Sequence, residues 1–162
     1  MRRAISILSI YVLVLATTPG MATSGAHFMS SSASVNGSGA LVVSWDEAGL
    51  GNGNINYTLT ANAVATYACI NGGGKHPSAA NKQTSSAQVS AGGSFQSKNG
   101  RVQASLTAGP LSAGSFTCPS GQTLELAQVS YSDIVLTDTT NNVTSALGST
   151  GLVCLFSVKG IC

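Results

Sequence analysis

Two clusters of side chains in this sequence are equipped for chemistry. The first is Trp45-Asp46-Glu47, followed by Asn52 and Asn54 in a glycine-rich turn. Carboxylates, amides and an aromatic ring suit sugar recognition, where hydrogen bonds orient the ligand and a ring stacks on it. The same carboxylates could serve acid–base chemistry on a glycan. The second cluster is Lys75, His76 and Lys82, in a loop behind Gly72-Gly73-Gly74. It reads as a solvated surface loop or as an anion or ligand site. Together these residues form one candidate binding surface, on the expectation that loops at one end of a β-fold come together.

Several chemistries are excluded by spacing. Glycines precede Lys75, but the phosphate-loop spacing is absent and no helical pattern follows, so nucleotide binding is rejected. Neither G-x-S-x-G nor H-E-x-x-H occurs. Asp46 and Glu47 are adjacent, so on a strand they point to opposite faces and do not by themselves make a hydrolase pair. Calcium at Asp46, Glu47, Asn52 and Asn54 lacks the EF-hand pattern. Zinc lacks a C-x-x-C, and His27 and His76 are far apart in sequence. One copper arrangement is chemically sound: if the mature chain starts at His27, its amine and ring could join His76. The residues otherwise require no metal and no cofactor.

The element that must position both clusters lies between them. Ile55, Tyr57, Leu59, Ala61, Ala63, Ala65, Tyr67 and Cys69 alternate with Asn56, Thr58, Thr60, Asn62 and Thr66. Period-two alternation is the mark of a half-buried strand. It is long for one strand, which predicts a bend or bulge near the alanines. Residues 41–45 read as a strand, with residues 46–54 a turn-rich loop. Residues 83–90 read as a weak strand, and residues 143–147 as an edge. Residues 93–97 and 101–108 read as a hairpin about Lys98-Asn99-Gly100, because Asn-Gly tolerates positive φ. A short strand is expected over residues 115–119. Residues 123–130 and 133–137 form two strands or one bent strand around Tyr131. The fold class is therefore all-β, an antiparallel two-sheet β-sandwich (immunoglobulin-like) of seven or eight strands, with a small barrel the alternative. Trp45 is expected in the core near a strand end, or else exposed as a sugar-stacking platform.

Residues 1–22 have the layout of a secretory signal peptide: Arg2 and Arg3, an apolar run over residues 4–16, then small residues that allow cleavage after Ala22 or Ala26. The chain has seven Lys and Arg and five Asp and Glu. Arg2 and Arg3 leave with the leader, so five bases face five acids. A neutral mature chain has no electrostatic footprint for nucleic acid or for an anionic membrane. Residues 23–40 are low in complexity and read as a mobile arm or an edge strand. The sandwich is expected over residues 41–150, with a tail at residues 151–162.

Four cysteines in an exported chain argue for disulfides. Three pairings are open; Cys69 with Cys118, leaving Cys154 with Cys162, is the expected one. Asn36, Asn56 and Asn142 fit the N-glycosylation pattern.

Four stretches together carry a resemblance: SWDEAGLGNGNINYT, CINGGGKHPSAANK, SFQSKNGRVQASL and FTCPSGQTLELAQVSYSDIVLTDTTN. The chain resembles, over roughly residues 43–141, a group of small and mainly uncharacterised secreted proteins of fungi and some bacteria. The resemblance implies a fold and export, and no activity. The sequence departs from that pattern at its end, where GLVCLFSVKGIC is apolar and bears two cysteines.

Composition and motifs point first to a secreted, non-catalytic binding protein for a cell-wall polysaccharide or a host surface glycan. The alternatives are a self-associating extracellular structural protein and a secreted glycan-active enzyme.

Overall fold

The computed structural model describes residues 25–71 and 81–155. They form eight strands: β1 (His27–Val35), β2 (Leu41–Ala48), β3 (Asn54–Asn71), β4 (Lys82–Gln96), β5 (Arg101–Ala108), β6 (Gln122–Asp138), β7 (Val143–Gly148) and β8 (Gly151–Cys154). A three-stranded sheet in the order β1-β2-β5 packs on a five-stranded sheet in the order β4-β3-β6-β7, with β8 also paired to β6. All pairings are antiparallel. The molecule is a β-sandwich. A constant-type immunoglobulin domain keeps its fourth strand beside the fifth; here β4 lies beside β3, on the edge of the opposite sheet.

The core is read directly from strand parity. Leu41, Val43 and Trp45 point inward from β2, and Ile55, Tyr57, Leu59, Ala61, Ala63 and Ala65 from β3. The irregularity expected in β3 near the alanines falls in its neighbour β6 instead, which carries the extra residues, and β3 pairs with β4 without a shift. Register shifts against β6 fall between Thr60 and Asn62 and between Thr66 and Tyr67. The first is a bulge at Asp133, whose φ is +50°. It changes which residues of β6 face inward: Val129 and Tyr131 before it, Ile134, Leu136 and Asp138 after it, are all buried. An extra residue in one strand has that effect because side-chain orientation repeats every two residues. Asn62 Nδ2 donates to Asp133 Oδ2 at 2.8 Å across the bulge. Residues 122–138 are thus the one bent strand of the two arrangements expected.

Four readings of the sequence are corrected. Of the mobile arm and the edge strand expected before residue 41, the edge strand is found: β1 pairs with β2 from His27 to Val35, so the sandwich begins before residue 41. The Lys98–Arg101 turn forms as expected, with Asn99 and Gly100 at positive φ and reciprocal backbone bonds of 2.9 and 3.1 Å. The flanking strands do not remain a hairpin, because β4 joins β3 and β5 joins β2. The turn is a corner between sheets. No strand forms over residues 115–119. Finally, β4 is one strand of fifteen residues where a weak strand and half a hairpin were expected.

Cys69 and Cys118 are disulfide-bonded, with Cα atoms 5.5 Å apart, tying the end of β3 to the β5–β6 connection. Cys154 is also disulfide-bonded. Cys162, its expected partner, lies outside the described residues. Among the described residues no helix is long and apolar enough to cross a membrane. Asn36, Asn56 and Asn142 are all exposed. Asn36 also holds the β1–β2 turn, its Oδ1 accepting from Ser38 and Ala40 backbone N–H groups at 3.0 and 2.9 Å.

Candidate functional site

Lys82, the described member of the second cluster, is at the opposite end of the sandwich from the first cluster. β3 runs unbroken from Asn54 to Asn71, with Asn52 just before it and Lys82 paired near its far end. Fourteen residue steps along β4 put Lys82 about 45 Å from Gln96, at a strand rise of about 3.3 Å. Lys82 is therefore not part of a surface with Asp46. Lys75 and His76 lie outside the described residues, and the copper arrangement with them. Among the described residues no group of three or more His, Cys, Asp or Glu is placed to hold a metal ion.

The triplet Trp45-Asp46-Glu47 is split by the same parity that builds the core. Trp45 and Glu47 point inward, at 4% and 0% exposure, and only Asp46 faces out. Trp45 is thus the core residue of the two expectations and not a stacking platform. Its ring centroid lies 4.7 Å from that of Tyr57 and 5.3 Å from that of Phe95.

Of these three rings, Phe95 is the one that is not fully buried. It is half-buried near the end of β4 and lines a half-open groove of about 470 Å³ with Gln96, Lys98, Arg101, Val102 and Gln103. The groove exists because β4 and β5 part at the Lys98–Arg101 corner and enter different sheets. Phe95 and Val102 supply apolar surface; two amides, an ammonium and a guanidinium supply the polar groups. Asp46 fixes one wall. Arg101 forms a bidentate ion pair with its carboxylate, through Nε to Oδ1 at 2.6 Å and through an Nη to Oδ2. Gln103, directly opposite Asp46 in the ladder, donates to Oδ2 at 3.0 Å. The Arg101 bonds first, then that of Gln103, hold the Asp46 carboxyl down at about 2. Asp46 raises the Arg101 pKa in turn. Asn54 pairs with Gln96 beside the groove, and Asn52 is exposed in the turn before it.

Beneath that end of the sandwich lies a second, sealed group. Glu47, Tyr57 and Asp138 come from β2, β3 and β6, and Tyr57 and Asp138 are ladder partners. The Asp138 carboxylate closes the β6–β7 turn, accepting from the Thr140 and Asn141 backbone N–H groups at 2.8 and 3.0 Å and from Asn141 Nδ2 at 2.6 Å. Trp45 Nε1, both Glu47 carboxyl oxygens, Tyr57 OH and Ser97 Oγ are buried without a hydrogen-bond partner of ordinary geometry. They are nevertheless close enough to act on one another. Burial pushes the Glu47 pKa up; the Tyr57 hydroxyl, next in size, opposes it, and the neighbouring Asp138 adds to the rise. Burial and Glu47 likewise raise Tyr57.

Asp46 and Glu47 therefore give stability opposite pH dependences. The Asp46 pKa is lowered from 3.8 to about 2, so its contribution is present above pH 3.8 and is lost as pH falls through about 2. The Glu47 pKa is raised from 4.5, so its contribution is full below pH 4.5 and is lost as pH rises through the raised value. Denaturation midpoints across the acid range are expected to peak between pH 3.8 and pH 4.5. Glu47→Gln is expected to flatten the descent on the alkaline side and to be the more stable form at neutral pH. An unchanged descent in that variant would show that another group causes it.

The groove residues Phe95, Gln96, Arg101 and Gln103, and the buried Tyr57 and Asp138, were not singled out from sequence. Two signals were available. Leu41, Val43, Trp45 and Glu47 share one parity, which places Glu47 inside. The apolar positions of residues 127–136 change from odd to even, which marks the bulge that turns Asp138 inward. No family model matches this chain, and neither a curated protein nor a solved structure matches it.

Proposed function

We propose that the chain is a secreted, non-catalytic binding protein that holds a neutral glycan of a cell wall or host surface in the Phe95–Gln103 groove. The observation that carries this reading is the groove's chemistry: an aromatic and an aliphatic side chain flanked by Gln96, Gln103 and Arg101. Planar amides and a guanidinium form directional bonds to sugar hydroxyls, and a ring face covers the apolar side of a pyranose. The Asp46–Arg101–Gln103 bonds pre-set that wall, which lowers the ordering cost of binding. The leader-like residues 1–22 and the Cys69–Cys118 disulfide support export.

Burial of Glu47 weighs against the hydrolase alternative. Hydrolysis of a glycoside uses two carboxyls that reach the substrate. Glu47 is fully buried, and Asp46 is held by Arg101.

The test is retention of the secreted protein on insoluble cell-wall polysaccharides and on glycan arrays. Gln96→Ala, at an exposed position clear of the Asp46 bonds, is expected to weaken retention about tenfold, the effect of losing one or two well-made hydrogen bonds. Gln83→Ala, at the far end of β4, is expected to leave it unchanged. Failure to bind any polysaccharide, whole cell or host surface would remove the proposal.

A further inference from the structure

The sandwich has four outer edges, and three of them are blunted. β1 carries a register shift between Phe28 and Ser30, and Ser31 Oγ is 2.6 Å from Ser145 Oγ on β7 of the other sheet. β5 is eight residues long and begins at the ion-paired Arg101. β7 and β8 have six and four residues, and β7 has a register shift of its own. Such short, bulged or charged edges are how native sheets avoid pairing with other chains.

β4 has none of these features. It is fifteen residues long and pairs with β3 without a register shift from Gln96 to Lys82. Among the described residues it forms a ladder with β3 alone. It has no proline and no acid, and its one charged residue, Lys82, is at its end. Over residues 82–88 every side chain but that of Ser85 is exposed. From Gln83 to Phe95 this is a long, regular edge with no second strand against it among the described residues.

We propose that β4 is a self-association edge, where a second copy of this chain adds its own β4 in antiparallel register. The strand itself favours a second copy over another partner. It offers no charge pattern for an acidic or basic peptide to read. Paired with itself over residues 83–95, it places Val89 opposite its counterpart and Gln83 opposite Phe95, with no charged residue in the ladder. Gln88 then faces Ser90, and both are exposed. The interface is isologous and closes as a two-fold dimer. The five-stranded sheets of the two molecules become continuous. The ladder ends at Phe95, which with Gln96 lines the glycan groove, so the two sites adjoin at that end of β4.

The test is sedimentation velocity of the full secreted protein over a concentration series. The wild type is expected to show a monomer–dimer equilibrium. The pair Gln88→Lys and Ser90→Lys puts two lysines opposite two lysines and is expected to weaken it about tenfold. Gln88→Glu with Ser90→Glu is expected to do the same. An equimolar mixture of the lysine and glutamate forms is expected to associate again, which also shows that both are folded. A wild type monomeric at every concentration, a lysine form that dimerises as tightly as wild type, or a mixture that stays monomeric would each overturn the proposal.

Discussion

Replacing Cys69 and Cys118 together by alanine is expected to lower the unfolding free energy by about 4 kcal/mol in the chain-entropy account. The two cysteines are 49 residues apart, and their bond closes a loop that spans β4 and β5. Without it the unfolded chain regains that freedom while the folded chain loses little packing. Cys69 is held in the β3–β6 ladder, so the bond acts mainly on the β5–β6 connection. Residues 109–121 contain no strand; besides the disulfide, Leu111 packs against the core and the Tyr67 hydroxyl donates to Leu111 O at 2.9 Å. Non-reducing urea denaturation measures the loss directly. A change below about 1 kcal/mol would mean that the connection is held mainly by other contacts.

Trp45→Ala is expected to cost about 3–5 kcal/mol, the range for removing a large buried aromatic. Trp45 is 4% exposed and packs against Tyr57 and Phe95. Its loss opens a cavity between the sheets and removes the support under Phe95. Trp45→Phe is expected to cost much less, because it keeps most of the apolar volume and eliminates an indole N–H that has no partner. Thermal and chemical denaturation of the two variants decide the matter. Were Trp45 a surface platform for sugar, both variants would change binding and leave stability near wild type.

The strands were legible in the sequence where one face is apolar and the other polar. β3 is the clearest case, although the bulge expected in it near the alanines is in β6. Asp46 and Glu47, read as the start of a loop, are on β2, where adjacent residues face opposite ways. The candidate surface was not legible, for two physical reasons. Sequence proximity on a strand is not a shared face, so Trp45 and Glu47 left the surface that Asp46 kept. Also, β3 is a single strand of eighteen residues, so Asn54 at its start and Lys82, paired near its end, are far apart. The groove was hidden for a third reason. Gln96 and Gln103 lie on strands that belong to different sheets, and nothing local to the Lys98-Asn99-Gly100 turn shows that its arms separate. The edge strand β4 reads weakly because its Ser, Thr, Ala and Gln side chains are exposed on both faces over much of its length, which erases the alternation.

The central claim is that the groove between β4 and β5 binds a neutral glycan. The most direct measurement is amide chemical-shift mapping of the isotopically labelled mature protein, titrated with soluble β-glucan and chitin oligosaccharides. The account predicts saturable shifts centred on Gln96, Lys98, Arg101 and Gln103, with Lys82 and Gln83 at the far end of β4 unmoved. Saturable shifts confined to another face, or none with any neutral oligosaccharide, would contradict it.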